Sequence, residues 1–223
     1  MKYEISDFNV DIKGNIFKCR PWTSREERAY LSNKTQDAKL KTAAQMLVLP
    51  NTEFKPMTVS EFEYLLLQHR KLSIGSEVSL SVNCNCGQRI DFEKSIDDLV
   101  HFIAPKIDGR KIVSEDVEIE LRRIPTKEML LRVLDADNEE DRTFYEFLGS
   151  IASITYKGET NKTFLFEELE EFFDSVPSAM FRKLISDFFE IKGHIQLYCE
   201  VTCPICQSKF DAVFRDIPSF LWV

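Results

Sequence analysis

A chain of 223 residues with 43% hydrophobic and 30% charged content can bury one sizeable core or two small ones, and it is not a disordered polymer. A net charge of −8 and a pI near 5.1 leave no broad basic surface to neutralise duplex phosphates, so no nucleic-acid partner is expected. Met1-Lys2-Tyr3-Glu4 opens no signal-peptide core and no apolar run reaches spanning length. The expectation is a protein that folds in a reducing cytoplasm, where thiols favour metal over disulfide.

Residues 3–18 alternate around Gly14-Asn15, with Ile5, Phe8, Val10 and Ile12 on one side and Ile16 and Phe17 on the other, which predicts a β-hairpin. Arg20-Pro21-Trp22 closes it, and Thr23 or Ser24 ahead of Arg25-Glu26-Glu27 marks a helix start with an acidic first turn. A helix is predicted over 37–49, with Leu40, Ala43, Ala44 and Leu47 on one face and Pro50 as its stop. Thr58 and Glu61 form a capping box for the next helix, whose apolar face is Phe62, Leu65, Leu66 and Leu72 and whose end is Gly75. Strand 77–83 follows.

Between 95 and 193 the pattern predicts strand material over 112–124, through Val117, Ile119 and Leu121. Pro125-Thr126 then starts a helix bearing Met129, Leu130, Val133 and Leu134. An acidic break over 135–141, a helix over 144–154, a hairpin-like turn at Tyr156-Lys157-Gly158-Glu159-Thr160 and helices over 167–174 and 178–191 complete this stretch. Strands over 195–202 and 210–214 end the pattern.

Two cysteine knuckles read alike. Cys84-Asn85-Cys86 and Cys203-Pro204-Ile205-Cys206 each sit in a tight turn between strands. Four thiolates from two such turns can surround one Zn²⁺ as a closed tetrahedron, with no open position for water or substrate, so the site points to folding rather than catalysis. Buried thiols and a disulfide pair are the alternatives. Cys84-Asn85-Cys86 departs from the usual two-residue spacing and makes the tighter turn. Cys19 and Cys199 are unpaired by spacing and read as packed thiols; His69, His101 and His194 read as ordinary histidines.

No catalytic set assembles. The glycines form no phosphate loop, no serine sits in a nucleophile elbow, and the carboxylates of Glu167-Glu168 and Glu170-Glu171 alternate with Leu165, Phe166, Leu169, Phe172 and Phe173 as a solvated helix face. Eighteen Phe residues suggest a Phe-built core or a partner surface. Phe220, Leu221 and Trp222 are candidates for partner binding, with the Phe-rich stretch 164–189 as a second contact surface.

Phe17-Lys18-Cys19-Arg20-Pro21-Trp22-Thr23-Ser24-Arg25-Glu26-Glu27 resembles a block of the T-even phage baseplate protein family. Met57-Thr58-Val59-Ser60-Glu61-Phe62-Glu63-Tyr64-Leu65-Leu66-Leu67-Gln68-His69-Arg70 and Ser73-Ile74-Gly75-Ser76-Glu77-Val78 resemble the next, which runs into the first knuckle at Cys84. The resemblance implies a non-enzymatic baseplate hub subunit or hub assembly factor (chaperone) of a contractile-tailed phage. Its partners would be other hub or tail proteins, met in the host bacterial cytoplasm during assembly, with the virion tail baseplate as the second location the resemblance implies.

The expected fold is α+β. Residues 1–94 carry the hairpin, helices and first knuckle, 95–193 form a mostly helical insertion, and 194–223 bring the second knuckle and tail to complete a zinc-ribbon-like antiparallel sheet. Structural zinc on Cys84, Cys86, Cys203 and Cys206 would hold that sheet together. Two other classes compete: a zinc-ribbon nucleic-acid adaptor of phage transcription or replication, for which Arg89, Lys94, Lys209 and Arg215 are too few, and a zinc enzyme, which requires one ligand to give way to water.

Overall fold

The computed structural model describes residues 6–33, 36–43 and 54–214. Residues 3–5 of the predicted hairpin, with Ile5, residues 44–49 of the second predicted helix and its stop Pro50, and the Phe220, Leu221 and Trp222 end lie outside the described residues. The chain divides into two compact units, one of Met1–Glu53, Glu63–Ile103 and His194–Val223, the other of Phe54–Phe62 and Ala104–Gly193.

In the first unit, β1 (Phe8–Ile12) and β2 (Asn15–Cys19) form the expected hairpin. Lys13 and Gly14, both with positive φ, make its turn, and the Gly14 N–H donates to the Asp11 carboxylate at 2.7 Å. Thr23 caps α1 (Ser24–Leu31) in a reciprocal box with Glu26, whose carboxylate also takes Arg20 at 2.5 Å. Qualitatively, those bonds outweigh burial and hold the Glu26 carboxyl below its usual range. The described part of the next helix is α2 (Gln36–Thr42).

Helix α3 (Val59–Ser73) starts on the predicted box: Thr58 N donates to Glu61 at 3.0 Å and Glu61 N to Thr58 Oγ1 at 3.2 Å. Gly75, at φ 136, leads out of it into β3 (Glu77–Asn83), which pairs with β4 (Arg89–Ser95). Then come a one-turn helix α4 (Ile96–Leu99) and a short strand β5 (Val100–Ile103), which sequence reasoning did not identify. Strand β10 (His194–Thr202) pairs with β5 on one side and with β11 (Lys209–Phe214) on the other, giving the order β11-β10-β5. Tyr64 of α3 stacks on Phe102 of β5 at 4.6 Å, so this helix packs on the sheet that carries the second knuckle.

One expectation is corrected here. The two knuckle hairpins do not merge into one sheet: β3-β4 is a two-stranded sheet of its own. β5 takes the edge of β10 only over its first residues, His194↔Ile103 to Leu197↔Val100, and β3 and β4 pair only with each other.

His69 of α3 is fully buried between the rings of Phe8 at 5.3 Å and Trp22 at 5.4 Å. Burial, opposed by the Arg20 backbone and Glu26, lowers its pKa from 6.5 to about 4. The neutral ring is the folded form, so the stability it supports is present above 6.5 and is lost as pH falls toward 4. The window is worth about 3 kcal/mol. His69→Phe should therefore show a flatter acid limb than wild type in urea titrations run between pH 7 and pH 4; parallel limbs would refute the assignment.

In the second unit, β6 (Lys111–Ser114), β7 (Val117–Leu121), β8 (Ile151–Tyr156) and β9 (Glu159–Asn161) form an antiparallel sheet in chain order. The predicted strand material over 112–124 is a hairpin, turned at Glu115-Asp116, with Glu115 at φ 53. Helices α5 (Lys127–Leu134, capped by Thr126) and α6 (Glu139–Gly149, capped by Asn138) lie between β7 and β8. The acidic break lends its carboxylates to the first turn of α6, where they suit the helix dipole.

The helix expected over 144–154 is also corrected: α6 ends at Gly149, and Ile151-Ala152-Ser153-Ile154-Thr155-Tyr156 forms β8 between β7 and β9. β-branched residues at 151, 154 and 155 suit a pleated surface, and the ladders on both sides hold them there. The hairpin turn at Lys157-Gly158 is as predicted, with φ 51 and 85.

Helices α7 (Phe166–Asp174) and α8 (Ser178–Ile191) close the core of this unit. Phe147 sits at its centre, edge-on to Phe173, Phe181 and Phe188 with centroids at 5.2, 6.2 and 5.4 Å. The Phe load of 164–189 therefore builds a core more than a contact surface: Phe166, Phe173 and Phe188 are buried, Phe164, Phe172 and Phe181 pack against them, and Phe189 is exposed.

Candidate metal centre

Each knuckle is set by its own backbone. In the first, Cys84 N donates to Gln88 O at 2.8 Å and Gly87 N to Cys84 O at 2.9 Å. In the second, Cys203 N donates to Ser208 O at 2.9 Å and Gln207 N to Cys203 O at 3.0 Å. The residue after the second cysteine is left-handed in both, Gly87 at φ 87 and Gln207 at φ 60. The turns are equivalent despite the shorter Cys84-Asn85-Cys86 spacing.

Gly87 has open space where a Cβ would be, so Gly87→Ala meets only the backbone cost of the left-handed conformation. A loss of about 1 kcal/mol is expected in chemical denaturation. No loss would mean that the turn re-forms another way.

The two turns bring Cys84, Cys86, Cys203 and Cys206 together, with all four sulfurs within 4.8 Å of one another. Cys84 Sγ lies 3.5 Å from Cys206 Sγ, and Cys86 Sγ lies 3.7 Å from Cys203 Sγ. A disulfide needs about 2.05 Å, so these are free thiols rather than bridges. Zn–S bonds of about 2.3 Å set tetrahedral sulfur edges of roughly 3.8 Å, close to the separations found. Cys84 and Cys203 are buried, Cys86 and Cys206 exposed.

The electrostatics of the donor set also suit a cation. The Cys86 N–H, then the Ser208 hydroxyl, hold Cys84 below the ordinary thiol range. Ser208, by its hydroxyl and then its N–H, brings Cys206 down to about 6. The Gln88 N–H favours the Cys86 thiolate, but the neighbouring sulfurs, Cys84 first, push it up to about 12. Four crowded thiolates repel one another and cannot all ionise unaided; a dication at their centre removes that repulsion. The four cysteines could hold a metal ion.

Sequence reasoning missed Ser208, whose Oγ is 3.0 Å from Cys206 Sγ and 3.4 Å from Cys84 Sγ. The signal was its place two residues after the second cysteine, matching Gln88, where an N–H and a hydroxyl can both reach sulfur. Cys19 and Cys199 are buried outside this group, with Cys199 pushed up by burial. His101 stacks on Tyr198 at 4.0 Å, and His194 lies 3.1 Å from Gln196 Nε2.

Among the described residues, no helix is long and apolar enough to cross a membrane. Neither a curated protein nor a solved structure gives a significant match. The family described as T4 bacteriophage base plate protein, in contrast, matches residues 2–222, a span that includes both knuckles and everything between them. The chain belongs to the T4 bacteriophage base plate protein family.

Proposed function

We propose that this chain is a hub subunit or hub assembly factor of the phage baseplate, held in shape by one structural Zn²⁺ on Cys84, Cys86, Cys203 and Cys206. Membership of the family makes it a structural baseplate protein of the virion tail that works against other phage proteins. The observation that supports the structural zinc is the four-sulfur cluster, which joins positions 117 residues apart; the hub role rests on the resemblance carried by residues 17–27, 57–70 and 73–78. With all four places around the metal filled by sulfur, no water or substrate is activated there, so the role is assembly and not catalysis. Residues 95–193 act as an insertion, and β5, near its start, pairs with the first residues of β10, His194 against Ile103. Synthesis and assembly take place in the reducing host cytoplasm, which keeps the thiols available to metal.

X-ray absorption on the purified chain tests the centre: one zinc with four sulfur neighbours near 2.3 Å is expected, and iron, or a shell containing oxygen, would refute it. Capture of tagged chain from an infected-cell lysate tests the role. Co-purification of central hub subunits is expected; recovery of tail-tube or wedge proteins alone would remove the hub assignment. Phe220→Ala with Trp222→Ala in the same assay tests whether the C-terminal end binds the partner, since the pair should then lose capture.

A further inference from the structure

Each short sulfur contact joins an exposed cysteine on one hairpin to a buried one on the other: Cys206 with Cys84 at 3.5 Å, Cys86 with Cys203 at 3.7 Å. We propose that the cluster is also an oxidation site, at which peroxide converts the metal-bound staple into two cross-hairpin disulfides, Cys84–Cys206 and Cys86–Cys203. This rests on the metal reading above and adds to it what happens when the metal leaves.

The chemistry closes on named atoms. The exposed Cys206 thiolate attacks hydrogen peroxide, its sulfur takes one oxygen, the O–O bond breaks and hydroxide leaves. Cys84 thiolate then attacks the resulting sulfenic sulfur; the S–S bond forms, the S–O bond breaks and a second hydroxide leaves. Cys86 and Cys203 repeat the two steps with a second peroxide. Four thiolates give up four electrons, two peroxides take them, four hydroxides form, and the dication is discharged.

Pairing follows from geometry. A disulfide within Cys84-Asn85-Cys86 would close a ring over a single intervening residue, far from relaxed disulfide geometry. A bridge within Cys203-Pro204-Ile205-Cys206 would leave Cys84 and Cys86 only that strained partner. Of the two cross-hairpin pairings, the proposed one joins the sulfurs already in short contact. Because both bridges span the hairpins, β3-β4 stays tied to β10-β11 with no metal present. That suits a particle component made in a reducing cell and later exposed to oxidising surroundings.

The test uses the full-length chain purified with its metal and treated with hydrogen peroxide. A chromogenic chelator reports metal release, and peptide mapping without reductant reports pairing. The expected result is release of the bound metal together with peptides cross-linked Cys84 to Cys206 and Cys86 to Cys203, while Cys19 and Cys199 enter no bridge. Dithiothreitol plus zinc should restore the starting state. The oxidised chain should resist chymotrypsin as the metal-bound one does, while reduced, EDTA-treated chain is cut at least tenfold faster. Within-hairpin bridges, or sulfinic acids in place of bridges, would overturn the proposal. Cross-hairpin bridges forming in a chain that purifies without metal, even from zinc-supplemented cells, would support the sulfur pairing and sink the metal reading instead. Cys206→Ser gives an independent check: the 86–203 bridge should persist with Cys84 left as a free thiol.

Discussion

Treatment with a chelator, or the substitution Cys203→Ser, is expected to open the sulfur end of the first unit while the Phe147 core of the second stays closed. Cys203 is completely buried, and its sulfur meets that of Cys86 across a separation of 117 residues. Bringing such distant positions together costs a few kcal/mol of chain entropy, since the cost grows only logarithmically with length. Binding of zinc by four thiolates contributes about 10 kcal/mol or more, so the metal more than offsets closure. Without it, the two turns hold four crowded sulfurs, two of them buried, with nothing to balance their charge. In hydrogen exchange, amides of β3-β4 and β10-β11 should lose roughly a thousandfold in protection, whereas those of β7-β8 should hold theirs. Equal loss in β7-β8 would show that the chain unfolds as one body and that the metal's influence is not local. Acid should act in the same direction as chelation, because thiolate ligands must be protonated when metal leaves.

What the sequence revealed divides along a physical line. Features fixed by neighbours in the chain were readable: the helix start at Thr23 or Ser24, the capping box at Thr58-Glu61, the helix over 178–191, the strand over 77–83, and the turn at Lys157-Gly158. The four cysteines that meet were readable too, because each knuckle declares itself locally and tetrahedral coordination supplies the reason to join them. Features decided by distant pairing were not. β5 is four residues long, and nothing in Val100-His101-Phe102-Ile103 says that β10 will take it as a neighbour. Nor does either knuckle's sequence say that β3-β4 will stay a sheet apart from β10-β11. Residues 150–154 continue a helical apolar pattern from α6 and become strand only because β7 and β9 flank them. The Phe residues of 164–189 could not be divided between core and surface until Phe147 was known to stand among them.

Lys192→Met is expected to cost the second unit about 3–5 kcal/mol, and the double substitution Glu146→Leu with Lys192→Met much less. Glu146 is buried on α6, and its carboxylate faces Lys192 Nζ at 2.5 Å and Val59 N at 3.3 Å. Lys192, just past α8, also accepts Ser60 Oγ on its carbonyl at 3.3 Å and places its ammonium 4.7 Å from the Phe189 ring. This cluster holds the segment 54–62 to the body of its unit, together with the Met57↔Ile124 bridge and the Arg123–Glu61 pair at 2.8 Å. Removing the ammonium alone leaves a carboxylate in an apolar setting with one amide for company, the costly half of a broken buried pair. Removing both charges eliminates that penalty and leaves only Val59 N without its acceptor, a cost of about 1–3 kcal/mol. Glu146→Gln with Lys192→Met should recover part of that, since an amide oxygen can still accept from Val59. Urea denaturation of wild type, Glu146→Leu, Lys192→Met and the Glu146→Leu, Lys192→Met double variant completes a double-mutant cycle. Additive losses would mean the two charges do not see each other, and would refute the coupled pair.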